Sequence, residues 1–253
     1  MRLSLRFCAL ASGSRGNALL VEHDETLIMI DCGLPLTALE SRLAVVGRSV
    51  GDLDAVLVTH EHGDHCRGIA PLLRRRAMPL WTTFGTAGEV DGIDDFERVR
   101  HERELRIGSI DVLPYAVPHD AREPCQFVFR AGGRRLGVLS DSGHVTPAIR
   151  QALSGCDALA VEFNHDAAML ESGSYPPSVK ARVGSRYGHL SNAQAAGLLA
   201  AVAHRGLQWV MALHLSERNN TRELVREAVA GAIGGTESTL ASQDEPSRWL
   251  EVA

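Results

Sequence analysis

Residues 59–65 read Thr59-His60-Glu61-His62-Gly63-Asp64-His65, directly after the apolar run Ala55-Val56-Leu57-Val58. The run has the character of a buried strand, so the polar cluster sits on the loop that leaves it. Three imidazoles and one carboxylate packed this closely form a metal-binding pattern. His60 and His62 can point one way while Asp64 and His65 turn toward a neighbouring point, which suits two metal ions about 3.5 Å apart, as in two-metal hydrolases. The competing reading is a solvated His-rich loop. H-x-H-x-D-H behind a β-run is far more specific than a lone histidine, and the metal reading is preferred. The fold must then bring further ligands to the same place from other strand ends.

The bulk properties allow this. The chain has 253 residues, 45% hydrophobic and 23% charged, enough for a sizeable core in one unit spanning residues 1–253. A net charge of −5 excludes a globally basic surface, so any nucleic-acid contact must use a local patch. Cys8, Cys32, Cys66, Cys125 and Cys156 are scattered, with no C-x-x-C, which fits reduced thiols and a cytoplasmic location. Cys66 adjoins the metal loop and is read as a small packed thiol, with ligation as the alternative. Residues 1–7 alternate like a strand, interrupted by Arg6, with no signal-peptide pattern and no stretch long enough for a membrane span.

Along the chain, strands are expected at Leu3–Leu10, Ala18–Glu22, Thr26–Ile30, Ala55–Val58, Leu80–Thr82, Ile110–Tyr115, Gln126–Arg130, Leu136–Leu139, Ala158–Val161 and Trp209–Leu213. Gly132-Gly133 marks a hairpin. Helices are expected at Thr37–Val46, Ile69–Arg75, Pro147–Leu153 capped by Thr146, Asn192–Ala203 opened by Ser191, and Thr221–Ala232. Residues 234–245 read as a loose connector and Arg248–Val252 as an edge strand. Early hairpins followed by alternating strands and helices imply an α/β (α+β) chain with two central sheets and helices outside.

Three polar residues terminate later apolar runs: His119 after Ile110–Val117, Asp141 after Leu136–Leu139, and His214 after Val210–Leu213. Each alone could be a turn residue; following the H-x-H-x-D-H loop in this order, they make a ligand set. That order, with Asp31 after an earlier strand, resembles the metallo-β-lactamase fold superfamily over nearly the whole chain. The resemblance implies a four-layer αββα sandwich with two mixed sheets. It implies that His60, His62 and His119 hold one metal, that Asp64, His65 and His214 hold the other, and that Asp141 bridges. Asp31 would support the ligands from behind. Zinc is the first expectation for the two divalent ions, with manganese or iron as alternatives.

Narrower strings divide the superfamily. Ala11-Ser12-Gly13-Ser14-Arg15-Gly16-Asn17-Ala18, Glu162-Phe163-Asn164-His165-Asp166, Tyr175-Pro176-Pro177, Lys180-Ala181-Arg182, Gly188-His189-Leu190-Ser191-Asn192 and His214-Leu215-Ser216-Glu217-Arg218-Asn219-Asn220 resemble the WalJ/YycJ-type branch, related to RNase Z and RNase J but without a β-CASP insertion. The resemblance implies a metal-dependent phosphodiesterase, a DNA exonuclease of suspected 5′ polarity with a metal-bridging hydroxide, Asp64 in the catalytic centre, and a role in DNA repair. His189 precedes a capped helix and by the same analogy meets the scissile phosphate or the leaving group; otherwise it packs at the helix end.

Substrate contacts are more open. Ser14 and Arg15 lie in a Gly-rich loop that is either a phosphate contact or a plain β-turn. Residues 175–187 hold Lys180, Arg182 and Arg186 with two tyrosines and no acid, read as a nucleic-acid contact with a solvated loop as the alternative. Asn164, Ser216 and Asn219 join the candidate substrate contacts. Glu162 and His165 join the supporting groups, although spacing fixes no role for His165. Arg74-Arg75-Arg76 reads as a solvated helix end, His23 and His204 as solvent-facing, and His101 and His144 as structural. The expected partner is DNA ahead of RNA, with no membrane and with either a monomer or a homodimer. The rival functions are a small-molecule hydrolase of thioesters, lactones or cyclic phosphodiesters, and a non-catalytic binding protein.

Overall fold

Along β1 (Leu5–Ala11), Leu5, Phe7 and Ala9 pack into one hydrophobic cluster while Cys8 and Leu10 pack into another. Strand side chains alternate between faces, so a strand that is apolar throughout is one whose two faces are both covered. The same division recurs in β9 (Cys125–Ala131), where Phe127 and Phe129 face inward and Val128 outward. These strands are the middle layers of a four-layer arrangement in this computed structural model, which describes residues 4–93 and 95–253. The expected start of the first strand at Leu3 lies outside the described residues.

The first sheet continues with β2 (Ala18–His23), β3 (Thr26–Ile30), β4 (Ala55–Leu57), β5 (Leu80–Thr82) and β6 (Glu97–Arg98). The second holds β7 (Leu105–Ile107), β8 (Ile110–Ala116), β9, β10 (Arg134–Leu139), β11 (Ala158–Glu162), β12 (Trp209–Leu213) and β13 (Glu237–Leu240). The chain then crosses back, and β14 (Leu250–Val252) pairs antiparallel with β1, as Leu5↔Val252 and Phe7↔Leu250. Among the described residues, each sheet thus has seven strands. The core between them is built from both, with Phe7, Val21 and Leu57 meeting Phe127, Phe129 and Met211.

Helices cover the outer faces. On the first sheet, α1 (Leu36–Val45) and α3 (Ile69–Arg75) bury Leu39, Leu43, Ile69 and Leu72, with α2 (Gly63–Cys66) and α4 (Phe84–Ala87) as short turns beside them. On the second, α5 (Pro147–Leu153), α8 (Asn192–Val202) and α9 (Arg222–Ile233) bury Ile149, Leu153, Leu198, Leu199 and Val225. Between them lie α6 (Ala167–Ser172) and α7 (Pro177–Val183). The Thr146, Ser191 and Thr221 hydroxyls accept from Ile149, Gln194 and Leu224 amides, as helix-capping chemistry requires. Gly132 and Gly133 take φ of 57° and 75°, the left-handed pair that turns the β9–β10 hairpin.

Several expectations need correction. Residues 234–245 are no loose connector, since they contain β13, paired parallel to β12 through Trp209↔Glu237 to Ala212↔Leu240. An edge strand needs one ladder and no buried face, so its polar sequence hides it. Residues 175–187 are not all loop: α7 forms there with Pro177 in its first turn but buries no side chain. Part of the metal loop is the helical turn α2. His23 is buried, 2.9 Å from Ser109 Oγ, and Arg76 turns back to the carbonyls of Val50 and Leu53. Burial pushes the Cys66 thiol up to about 11, with Sγ donating to the Glu61 carbonyl, so it is a packed thiol. Arg6 is buried on Glu22 with its guanidinium over Trp249. Among the described residues, no helix is long and apolar enough to cross a membrane.

Candidate metal centre

Strand direction puts the polar strand ends together. β3 and β4 are parallel, β10, β11 and β12 are parallel, and β8 is antiparallel to β9, which is antiparallel to β10. The residues following β3, β4, β8, β10 and β12 therefore emerge at shared sheet edges. There Asp31, the 60–65 segment, His119, Asp141 and His214 converge.

Four overlapping groups have candidate ligand atoms within 4.8 Å of one another: His60 with His62 and His119; Asp64 with His65 and His214; His60 with His65 and Asp141; and Asp141 with Glu162, His189 and His214. All seven residues expected to ligate lie in this set, and Asp141 is shared between groups. The imidazoles are also oriented. His60 Nδ1 is 2.9 Å from Thr59 Oγ1, His65 Nδ1 is 2.7 Å from Asp31, and His119 Nδ1 is 2.9 Å from the Gly188 carbonyl. The opposite nitrogens face the centre. Anchoring one ring nitrogen so that the other is free is how proteins orient metal-ligating histidines.

The facing atoms fit cations better than they fit one another. His60 Nε2 and both Asp141 carboxylate oxygens are buried without a hydrogen-bond partner. Asp141 Oδ2 lies 2.8 Å from His65 Nε2 without the angles of a hydrogen bond. His62 Nδ1 and His119 Nε2 stand 3.2 Å apart. A mixed imidazole and carboxylate donor set suits zinc, manganese or iron, so these residues fit divalent ions.

The charges agree. Burial alone disfavours ionisation of Asp141, but His214 and His65 hold its carboxyl well below the usual range. Against the same burial, His214 and His65 hold Asp64 at about 2. Burial pushes His60 and His119 below the ordinary imidazole value, the neutral form a ligand requires. His65 and His214 go the other way, His214 to about 9, because Asp141 and the neighbouring carboxylates outweigh burial.

One carboxylate organises much of the floor. Asp31, at φ 60°, holds His65 and also accepts from the Thr59 amide and hydroxyl, while Thr59 meets His60. A non-glycine residue in the left-handed region is strained and persists where the surroundings hold it; His214, at φ 54°, is a second case. Glu162 is buried too. Its Oε2 accepts from the Ser142 and Leu190 amides, and its Oε1 lies 2.6 Å from His189 Nδ1. His189 stacks on His214 with centroids 5.2 Å apart. Burial opposes its charge, yet Glu162 and Asp141 raise it to about 10.

Several groups in the site were not singled out from the sequence. Asn17 Nδ2 reaches Asp64 Oδ2 at 3.3 Å and His65 Nε2 at 3.1 Å. Asp120 Oδ1 lies 3.4 Å from His119 Nε2 and its carbonyl 3.2 Å from His62 Nε2. Thr59 links Asp31 to His60. The Gly-rich string around Asn17 was visible, but its contact with the metal loop was not.

The candidate substrate contacts divide. Arg15 pairs with Glu217 and Asp244 at 2.7 Å each, so its charge is locally compensated; Ser14 is exposed beside it. Asn164 is buried, its amide 3.1 Å from His214 Nδ1 and from the His214 carbonyl. Ser216 and Asn219 are buried and bonded to each other, so they shape the loop after His214 and offer no surface to a polymer. Arg182 is exposed and pairs with Asp120, while Lys180 Nζ donates to the Glu171 carbonyl. His165 is buried, and its side chain makes no hydrogen bond to another described residue.

A family model described as the beta-lactamase superfamily domain matches residues 26–214. The chain belongs to the metallo-β-lactamase superfamily. Within it, the chain is 34% identical over 234 residues to the exodeoxyribonuclease YycJ of Bacillus anthracis, covering 90% of this chain and 89% of that protein. It is 32% identical over 230 residues to the exodeoxyribonuclease WalJ of Streptococcus pneumoniae, covering 88% and 86%. These identities place it in the YycJ/WalJ branch. The metallo-β-lactamase fold protein YhfI of Bacillus subtilis superposes with a TM-score of 0.80 over 99% of this chain and 100% of that one at 15% identity, a likeness of fold. This metallo-β-lactamase-superfamily protein is a metal-dependent hydrolase.

Proposed function

We propose that this hydrolase is a dinuclear-metal phosphodiesterase that degrades DNA from an end, with residues 1–253 acting as one unit. The hydrolytic half of the reading rests on one observation: two donor clusters joined at Asp141, with His189 fixed on Glu162 at their rim. The DNA half rests on the YycJ and WalJ relatives, which are exodeoxyribonucleases matched over most of their length. In this reading His60, His62 and His119 hold one ion, Asp64, His65 and His214 the other, and Asp141 both. Zinc is the first candidate, with manganese and iron next. Two such ions, when bound, supply an activated water and neutralise charge on the scissile phosphate.

The chain's own residues do the rest. Glu162 fixes His189 through Nδ1, which leaves Nε2 as the donor toward a phosphate or departing oxygen. The negative Glu162 stabilises the protonated imidazole, as the buried carboxylate does in a hydrolase triad. Asn17 restrains Asp64, and Asp31 with Thr59 restrains His65 and His60. Around the rim, Tyr187 is 60% and Phe84 65% exposed. Both are tied to the segment after His119, since the Tyr187 carbonyl accepts from the Asp120 amide and the Gly85 amide donates to Glu123. Exposed aromatic rings, Phe84 with the Arg98 guanidinium 5.5 Å from its ring centroid, suit single-stranded bases and backbone. A 5′ polarity and a cytoplasmic DNA-repair role belong to the same reading by resemblance to the branch.

The test is cleavage of end-labelled single- and double-stranded DNA and RNA by metal-free protein reconstituted separately with zinc and manganese. Stepwise shortening of DNA is expected, and the labelled end that disappears gives the polarity. Turnover of a thioester or lactone with no cleavage of any nucleic acid would instead make the protein a small-molecule hydrolase.

A further inference from the structure

His165 is more than nine-tenths buried, and its Nδ1 has no hydrogen-bond partner. A buried polar atom left unpaired carries a free-energy cost, and in a native structure it points to a missing partner. The ring lines a cavity of about 400 Å³ whose other walls include Leu170, Glu171, Lys180, Ser191 and Gln194. That volume is within the roughly 300–1,000 Å³ range of small-molecule sites. The cavity sits beside the reactive histidine. His165 bridges Ser191 in parallel, its carbonyl accepts from the Asn192 amide, and the Asn164 amide donates to the Leu190 carbonyl. The wall bearing His165 therefore runs alongside the segment that presents His189.

The chemistry of the lining selects the ligand. Burial holds His165 below the ordinary imidazole value, so at neutral pH the ring offers one donor and one acceptor. Leu170 provides an apolar wall and Ser191 and Gln194 polar edges. Lys180 and Glu171 give the lining one charge of each sign, so it favours no net anion, and the Glu171 carboxylate can accept from an exocyclic amine. Donor and acceptor groups beside an apolar wall match a heterocyclic base.

We propose that this cavity receives the nucleobase of the terminal nucleotide, with the His165 ring hydrogen-bonding its edge, while the neighbouring phosphodiester lies at His189. The inference rests on the nuclease reading and adds a base-binding subsite to it. Its consequence is that an end lacking a base is a poor substrate.

The experiment compares initial rates on single strands of one sequence that carry at the cleaved end either a normal base or an abasic tetrahydrofuran residue. It uses manganese-reconstituted wild type, His165→Ala and Ala167→Trp. Ala167 is exposed on α6 and lines the same cavity, so tryptophan there fills the space with little demand on the core. Wild type is expected to favour the base-bearing end by about tenfold or more, the scale of one bound base. Both variants should bring the ratio close to one by slowing the base-bearing end. A wild-type ratio near one, or a preference that survives Ala167→Trp, overturns the subsite and leaves the nuclease reading standing. Absence of cleavage of any strand by wild type that still turns over bis(p-nitrophenyl) phosphate overturns the nuclease reading, and the subsite with it.

Discussion

The floor and the rim of the metal centre are built differently. On the floor, His60, His65, Asp141 and His214 are each at most 3% exposed, and the three imidazoles are braced by other buried groups. At the rim, His62, Asp64 and His189 keep 25%, 22% and 19% of their side chains accessible, and Arg182 and Lys180 reach solvent. A buried ligand with its second nitrogen already bonded has one orientation, so the floor is pre-organised for ions. The rim keeps free valence: His189 holds one nitrogen in reserve, and the Tyr187 ring is 60% exposed. The contrast teaches that what this site binds permanently and what it binds transiently are served by different degrees of burial, a few residues apart.

The comparison can be broken first where the expected effect is largest. Asp64→Ala, which removes a proposed ligand at the rim, is expected to drop activity to background on every substrate and to lower bound metal measured by mass spectrometry of the reconstituted protein. Retained metal with retained activity would remove Asp64 from the centre. His189→Ala should slow kcat on DNA by about 10²–10⁴-fold, the usual span for an acid–base group, with metal content unchanged. Loss of metal in that variant would move His189 from the rim to the floor. Asp31→Ala touches no candidate ion, yet should weaken metal affinity by about 10–100-fold through the freed His65 and Thr59, read by competition with a chromophoric chelator. The smallest effect is expected of Lys180→Ala: a rise of about three- to tenfold in KM for DNA, the scale of one phosphate contact, with bis(p-nitrophenyl) phosphate spared. Equal losses on both substrates would show that Lys180 is no nucleic-acid contact. Arg182 is a poorer probe, because its partner Asp120 lies against His62 and His119.

The same contrast explains what the sequence disclosed. His119, Asp141 and His214 stood out because each ends an apolar run, and a parallel strand delivers its last residue to a shared edge. The helices with buried faces and capping hydroxyls, such as α5 behind Thr146, were legible for a similarly local reason. Asn17, Thr59 and Asp120 were not, because their roles arise from contacts between loops that no local pattern encodes; Asn17 meets Asp64 across 47 residues of chain. α6, α7 and β13 escaped because none needs the apolar periodicity that marks a buried face. Among the basic residues, composition showed a patch but could not show that Arg15 and Arg182 would be taken up by carboxylates.

The metal loop is seated by main chain. The Asn17 amide donates to the Asp64 carbonyl at 2.7 Å, the Cys32 amide to the His65 carbonyl at 2.7 Å, and the Gly33 amide to the Asn17 carbonyl at 2.9 Å. A Cβ on Gly33 would stand 1.7 Å from the Asp64 carbonyl oxygen and 2.8 Å from the Asn17 nitrogen, so only glycine allows this approach. Loop length is consequently as restrictive here as ligand identity. In a library of insertions and deletions, single-residue changes within 12–17 or 31–34 should be as intolerable as replacing a histidine. The exposed turn at Gly47, where a Cβ would meet nothing within 4 Å, is where the chain can absorb added length.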